Sequence, residues 1–545
     1  MKIFWILVLG VFLMNCTRDD PPTELSLLKY NINGIEDLNY HGCNLNPEIE
    51  IKFSTTIDIN SASQTVRVFG NGQQVDINID LKNNDSTLVI TFKKELSYLT
   101  KYYLFIDTDL KAKNAKTLQA PIQSTFTTII DNSNKFPQIS DEELLTLVQK
   151  QTFKYFWDYG HPVSGLSRER LNSGDLVTSG GSGFGIMAIL VGIDRGFITR
   201  QQGIERIKKI SDFLLNKTDR FHGAFPHWLN GNTGKVIPFY TQDNGGDIVE
   251  TSYLAAGLLS AKEYFDKAND DETLIRENIK KIWESIEWSW YTKNAEKILY
   301  WHWSPDYAWY INHQIGGYNE ALITYVLAAS SPKYSISKEV YTQGWARNGG
   351  IKNGKSFYGF NLPLGYDYGG PLFFAHYTFL GIDPEGLSDE YANYQTQVVN
   401  HSKINHAYCS ANPKSFYGYS NKCWGLTASD NNNGYNAHSP TNDLGVISPT
   451  AALSSMPYTP TESMEALRYF YYILGNKTFK EYGFIDAFNL HNLWFADSYL
   501  AIDQGPIIVM IENYRSQLIW KLLMKNEDIK DGLKKLGFQS SKYNF

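Results

Sequence analysis

The stretch TQDNGGDIVETSYLAAGLL, Thr241–Leu259, sets Asp243, Asp247 and Glu250 at the mouth of an otherwise apolar helix. The amino end of any helix is electropositive and leaves backbone N–H groups unpaired, so acids at that position need no special role. At about 100° per residue, however, Asp247, Glu250, Leu254, Gly257 and Ala261 share one face, while Ile248, Val249, Tyr253, Ala255, Ala256, Leu258 and Leu259 fill the rest. No solvent face remains. A helix apolar around its circumference is buried, and a carboxylate on it is paired, hydrogen-bonded or kept for chemistry with a raised pKa. Structural ion pairs produce the same pattern, so this stretch is a candidate that needs a second one beside it.

The pattern recurs along the chain. Apolar helices led in by Gly, Pro or a short polar loop are predicted to begin near Phe184 (FGIMAILVG), Ile248, Gly316 (GGYNEALITYVLAA), Pro371 (PLFFAHYTFL), Thr450 (TAALSSM, running on into MEALRYFYYIL) and Pro506 (PIIVMIENY). Between them QQGIERIKKISDFLLNK, ETLIRENIKKIWESIEW and DEYANYQTQVVNHS carry charged stripes that suit an outer layer. Buried helices alternating with half-exposed ones describe a mainly α fold, an (α/α)6 toroid spanning residues 140–545. The rival is a helical solenoid. Long aromatic loops, Phe221–Asp247 and Tyr300–Gly316, interrupt the repeats and count against it, because loops of that length usually build a site.

Inner helices of a toroid run parallel, so their amino ends meet at one mouth and acids distant in sequence come to face each other. Glu320, in IGGYNEALITYVLAA, is the second such acid. Asp503 and Glu512, in AIDQGPIIVMIENYRS, form a weaker third group, with Arg515 a ready partner for Glu512.

Ahead of the helical region, residues 24–130 alternate with period two in IEIKFSTTIDI, TVRVFG, QQVDINIDLK, STLVITFK and YYLFIDTDL, separated by Asn, Gly and Asp turns. That is a small antiparallel sandwich, and LNPEIEIKFST with STFTT resembles bacterial Ig-like modules. Residues 131–139, DNSNKFPQI, read as a linker, and Ser140 with Glu143 as a capping box opening the first long helix. The first residues, MKIFWILVLGVFLMNC, combine a Lys with an apolar run too short to span a membrane and read as an export signal over residues 1–16. Leu13 to Cys16 resembles a bacterial lipobox, and Asp19 and Asp20 resemble the surface-export signal of Bacteroidota-type lipoproteins. The expectation is a cell-envelope, outer-membrane lipoprotein anchored through lipidated Cys16.

The chain of 545 residues is long enough for two or more domains. A net charge of -7 without any basic run argues against nucleic acid as partner. Cys43, Cys409 and Cys423 show no zinc-type spacing; Cys409 and Cys423 could close a loop or remain free. There is no H-E-x-x-H, G-x-S-x-G, Walker or dinucleotide-binding motif, and VTSGGSGFG reads as a tight entry into the first inner helix. In Asp430–Gly434, the run DNNNG hints at a calcium loop, but Thr441 stands where the bidentate Glu would fall. No metal or cofactor is expected, and no oligomeric state is legible.

Paired carboxylates across an aromatic cleft are what glycoside hydrolysis requires, one protonated to serve the departing oxygen and one ionised to activate water or attack the sugar. Aromatics make up 14% of the chain, enough to line such a cleft. Candidate substrate contacts near loops and helix starts are His227, Trp228, Trp301, Trp303, Trp309, Tyr318, Asn319, Tyr366, Tyr368, His376 and Trp424. Any single one of these rings is more often a core filler than a sugar platform.

With DNGGDIVETSYLAAGLL, IGGYNEALITYVLAASSP, LGYDYGGPLFFAHYTFLGIDP, CWGLTASD and ISPTAALSSMPYTPTESMEALR in view, positions 140 to about 525 resemble the glucoamylase-like domain group that includes glycoside hydrolase family 144, the bacterial endo-β-1,2-glucanases. The resemblance implies an (α/α)6 fold, cleavage of β-1,2-glucan with inversion, Glu320 as general acid, and Asp243, Asp247 and Glu250 as further essential acids, one of them the base. Exo action, another linkage, a uronate lyase on the same architecture, and a non-catalytic glycan-binding lipoprotein stay open as alternatives.

Overall fold

The computed structural model describes residues 24–545, so the export signal and Cys16 lie outside the described residues. The chain divides between Asp131 and Asn132 into two compact units.

The first unit is built from nine strands: β1 (Leu27–Ile32), β2 (Asn39–Cys43), β3 (Ile49–Phe53), β4 (Val66–Gly70), β5 (Gln73–Gln74), β6 (Ile77–Lys82), β7 (Thr87–Phe92), β8 (Lys101–Ile106) and β9 (Ile122–Thr128). Two sheets form, ordered β1-β3-β7-β6 and β2-β9-β8-β4-β5, with all pairs antiparallel except β2 with β9. The period-two pattern is the cause: in β3, Ile49, Ile51 and Phe53 enter the core while Glu50 and Lys52 turn outward. A short helix, α1 (Ile59–Thr65), is capped by Asp58.

The second unit is helix-rich. Its main helices are α2 (Asp141–Trp157), α3 (Ser179–Asp194), α4 (Arg200–Asn216), α5 (Ile248–Tyr264), α6 (Asp270–Glu284), α7 (Leu322–Ser330), α8 (Tyr394–Ala411), α9 (Pro449–Leu453), α10 (Pro460–Arg468), α11 (Ala501–Arg515), α12 (Leu518–Lys525) and α13 (Glu527–Leu536). Ser140 and Glu143 form both halves of the capping box at α2. The residues read as a linker pack on this unit: Lys135 N–H donates to the Tyr472 carbonyl, and Phe136 stacks on Tyr471 at 4.7 Å.

The helices apolar all round are the buried ones. Every residue of α5 from Ile248 to Ala261 is buried, whereas α4 and α6 bury one stripe each and pack on each other. α3 lies between α5 and α11, and α5 also meets α7 and α12. The α3–α5 crossing is a backbone contact: a Cβ on Gly183 would fall 2.1 Å from the Tyr253 carbonyl oxygen, and one on Gly257 2.3 Å from that of Gly183. Only glycine permits this approach.

Two predicted inner helices differ from expectation. PLFFAHYTFL yields one α turn, Phe373–His376, followed by a 3-10 turn, Thr378–Leu380. TAALSSM and MEALRYFYYIL form two separate helices, α9 and α10, each with Pro in its first turn, so Pro460 starts a new helix rather than continuing the old one. The last inner helix starts at Ala501 and takes Pro506 into its interior. Cys409 and Cys423 are buried free thiols.

Candidate active site

Short strands deliver the acids. β13 (Gly246–Asp247) runs antiparallel to β15 (His302–Trp303), pairing Gly246 with Trp303 and Asp247 with His302. Next to them β11 (Trp228–Asn230) pairs with β10 (Leu176–Thr178), the strand that enters α3, and the His227 carbonyl accepts from Ser179 N–H. Residues from three long loops thereby meet at the mouths of α3, α5 and α7.

Asp247 is the N-cap of α5. Its Oδ1 accepts the Val249 and Glu250 N–H groups at 3.0 and 2.9 Å, and its Oδ2 accepts His227 Nδ1 at 3.2 Å and Trp301 Nε1 at 3.1 Å. Burial alone would push this carboxyl up, but His227, His302 and the backbone donors outweigh it and hold the pKa below the ordinary value. Asp247 is a saturated group, ionised at neutral pH, and the cap contributes about 1 kcal/mol to α5.

Glu250, one turn on, receives Gly180 N–H on Oε2 at 2.9 Å. A Cβ at Gly180 would lie 2.3 Å from that oxygen, so this glycine lets the α3 backbone reach the carboxylate. Burial and the adjacent Asp247 charge raise Glu250, against the pull of His227 and of the Gly180 N–H. Asp243 is held in a tight loop by backbone bonds between Phe239, Tyr240 and itself. Its carboxylate makes no hydrogen bond among the described residues; its near neighbour is His302 Nε2, 3.5 Å away. Burial, then the charges of Asp247 and Glu250, push Asp243 up to about 7, with His227 opposing.

Glu320 stands just ahead of α7, its carbonyl bonded by Thr378 Oγ1 at 2.7 Å and Tyr253 OH at 3.5 Å. Burial raises its carboxyl to about 7, assisted by Glu250 and Asp247 and opposed by its own N–H. Glu320 and Asp243 both feel the charges of Asp247 and Glu250. His227 answers the negative charge. Burial pulls its pKa down, but Glu250, Asp247 and Asp243 carry it up to about 9, so it is an imidazolium at neutral pH.

The aromatic candidates separate into two groups. Trp228 packs against His227 and Phe239, Trp303 sits edge-on to His222 and Trp290, Tyr366 is 64% exposed beside Phe374, and Tyr368 leans on Phe357 and Tyr358. Trp301 binds Asp247 directly. Trp309 packs edge-on against Tyr291 and Tyr300. Tyr318, His376 and Trp424 correct the sequence reading: all three are enclosed, His376 bonded to Ser455 and Trp424 to the Glu462 carbonyl, so they fill the wall rather than meet a ligand. A helix mouth presents residues inward as well as toward the cleft, and sequence position does not distinguish the two. Asn319 uses its Oδ1 to cap the turn at Ala321. His302, whose place is set by pairing across a long loop, carried no sequence signal as a site residue.

A second buried acid group lies at the start of α11. Asp503 neighbours Asp486; burial, then the charge of a neighbouring carboxylate, raises both, Asp486 to about 7 and Asp503 well above the carboxylate range. Asp430, in the first strand of a β-hairpin, is clamped by Arg170 at 3.1 and 3.2 Å and by Ser498 at 2.6 Å. Glu512 pairs with Arg195, not with Arg515, which reaches Glu142 and Gln149 instead.

Comparison with known proteins bears on the whole chain. The family model "Putative glucoamylase" matches residues 312–527, and a bacterial Ig-like domain model matches residues 39–128. An exo beta-1,2-glucooligosaccharide sophorohydrolase of Parabacteroides distasonis is 47% identical over 420 residues, 73% of this chain; the chain spans 58% of that relative's length. Among solved structures, an endo-beta-1,2-glucanase from Chitinophaga pinensis is 52% identical with a TM-score of 0.73, covering 74% of this chain and 99% of that one. A beta-1,2-glucanase from Parabacteroides distasonis is 39% identical with a TM-score of 0.72, covering 94% and 73%. The chain belongs to the glucoamylase-like family that includes glycoside hydrolase family 144, and it carries a bacterial Ig-like domain ahead of that region.

Proposed function

We propose that this protein hydrolyses β-1,2-linked glucan with inversion on an (α/α)6 toroid, Glu320 giving the proton and Asp243 activating the water. The observation that carries this reading is a pair of buried carboxyls from separate segments, each raised to about 7 and each feeling the Asp247/Glu250 pair. An inverting enzyme needs two such carboxyls, an acid that reaches the leaving oxygen and a base with room for a water between it and the sugar. Asp247 is a poor base, since four donors already occupy its oxygens. Its role is to fix His227 and Trp301 and to supply the negative field that keeps Glu320 protonated. Glu250 retains one oxygen without a bond and is the second candidate for base. Packing of α3 on α5 and α11, and of α5 on α7, supports a ring of inner helices with α4 and α6 outside.

Relatives named as beta-1,2-glucan hydrolases support the substrate. Incubation with linear β-1,2-glucan followed by product analysis and time-resolved NMR tests the proposal. Sophoro-oligosaccharides released first as the α-anomer are expected; β-anomer, unsaturated products or unchanged polymer overturn it. Release of sophorose alone from the first minutes favours the exo mode named for one relative, and a spread of lengths favours the endo mode. Envelope anchoring through Cys16 belongs to the same proposal, and loss of lipid labelling in Cys16→Ala is its test.

A further inference from the structure

We propose that His302 is a positioning residue for this hydrolysis, donating its ring N–H to Asp243 and aiming that carboxylate at the attacking water; the inference rests on the function proposed above. Geometry brings the ring there. His302 in β15 is the register partner of Asp247 in β13, and residues directly opposite in an antiparallel pair project to the same face. Its Nε2 lies 3.5 Å from Asp243 Oδ2 and 3.7 Å from Asp247 Oδ2. Asp247 already accepts four hydrogen bonds, whereas Asp243 accepts none among the described residues. The one acceptor in reach that lacks a donor is therefore Asp243.

Both distances exceed a full hydrogen bond by a few tenths of an ångström, the slack that catalytic bonds lose when substrate fills a site. The titratable groups facing the ring are Asp243, Asp247, His227 and, across the loop, His313. Burial lowers the His302 pKa, Asp247 raises it, and His313 and His227 lower it again, leaving a neutral imidazole. A neutral ring carries one N–H, and two carboxylates on the Nε2 side draw it there. Nδ1 is then an acceptor, and it is buried without a partner. Trp301 stacks beside the ring at 5.9 Å and so limits its rotation. A ring that merely filled space would not need a nitrogen at Nε2.

The test compares the full-length wild type with His302→Gln, whose amide N–H reaches the Nε2 position, and with His302→Phe and His302→Asn, which place no donor there. For each, kcat/KM on β-1,2-glucan is measured against pH, alongside thermal melting. Loss of the donor destabilises the Asp243 anion, so the acid limb should move up by about one pH unit in the Phe and Asn variants. In the Gln variant it should stay within about 0.3 unit of wild type. If Phe does not fold, Asn carries the comparison. An unmoved limb in the donor-less variants, or an equal shift in all three, overturns the role of the N–H. Wild type inert on β-1,2-glucan takes down the functional reading and this inference together, whereas turnover with an unmoved limb removes this inference alone.

Discussion

Two groups of buried acids sit at the starts of buried helices of the same unit, and they are built to opposite ends. Around Asp247 the counter-charge is the titratable imidazolium of His227, and two carboxyls, Asp243 and Glu320, keep oxygens free of strong donors. Around Asp430 the counter-charge is the permanent guanidinium of Arg170, and Asp486 and Asp503 are buried neighbours with raised pKa values. Burial raises a carboxyl in both places. What differs is whether the proton can leave toward something other than a neighbour; on the proposed function the first group carries the chemistry and the second supports it.

The sharpest way to break this contrast is Glu320→Gln. It removes the proton donor and should lower kcat by about 10²–10⁴-fold with the fold intact, read by initial rates and circular dichroism. Asp243→Asn should follow with about 10²-fold, and a deeper loss in Glu250→Gln would reassign the base. Asp503→Asn should keep turnover within about threefold, because the native side chain is already protonated and an amide takes its place. A loss matching Glu320→Gln would carry the second group into the reaction.

The pH profile comes next. In the proposed roles Asp243 acts ionised and Glu320 protonated, and both sit near 7, so kcat/KM should trace a narrow bell about neutrality, falling in acid as the base is protonated and in alkali as the donor is lost. The smallest expected effect is on stability. A carboxyl whose folded pKa is raised binds more protons folded than unfolded, so stability falls as pH rises from about 4 through 7. Glu320→Gln should therefore raise Tm by about 1–3 °C at pH 8 and leave it unchanged at pH 4. Asp247 has the opposite sign: its lowered pKa contributes stability present above about 4 and lost as pH falls further.

Local rules made much of this legible. Buried α3, α5 and α7 followed from helices with no polar face, the α2 start from Ser140 and Glu143, and the strands of the first unit from alternation. Asp243, Asp247, Glu250 and Glu320 were found because acids on such helices demand a reason. Features set by distant pairing were not legible. His302 is placed by β13, Asp486 by Asp503, and the Glu512 partner is Arg195 rather than the nearby Arg515. Trp424 and Tyr318 failed for the converse reason, since a ring near a loop can turn into the wall as readily as toward a ligand.

The glycine crossing of α3 and α5 reaches further than packing. With backbone against backbone at Gly183 and Gly257, and Gly180 held to Glu250, the two helices behave as one welded beam bearing half of the acids. Such a beam tolerates no sliding, so the Asp247/Glu250 pair keeps its spacing whatever the loops built upon it do.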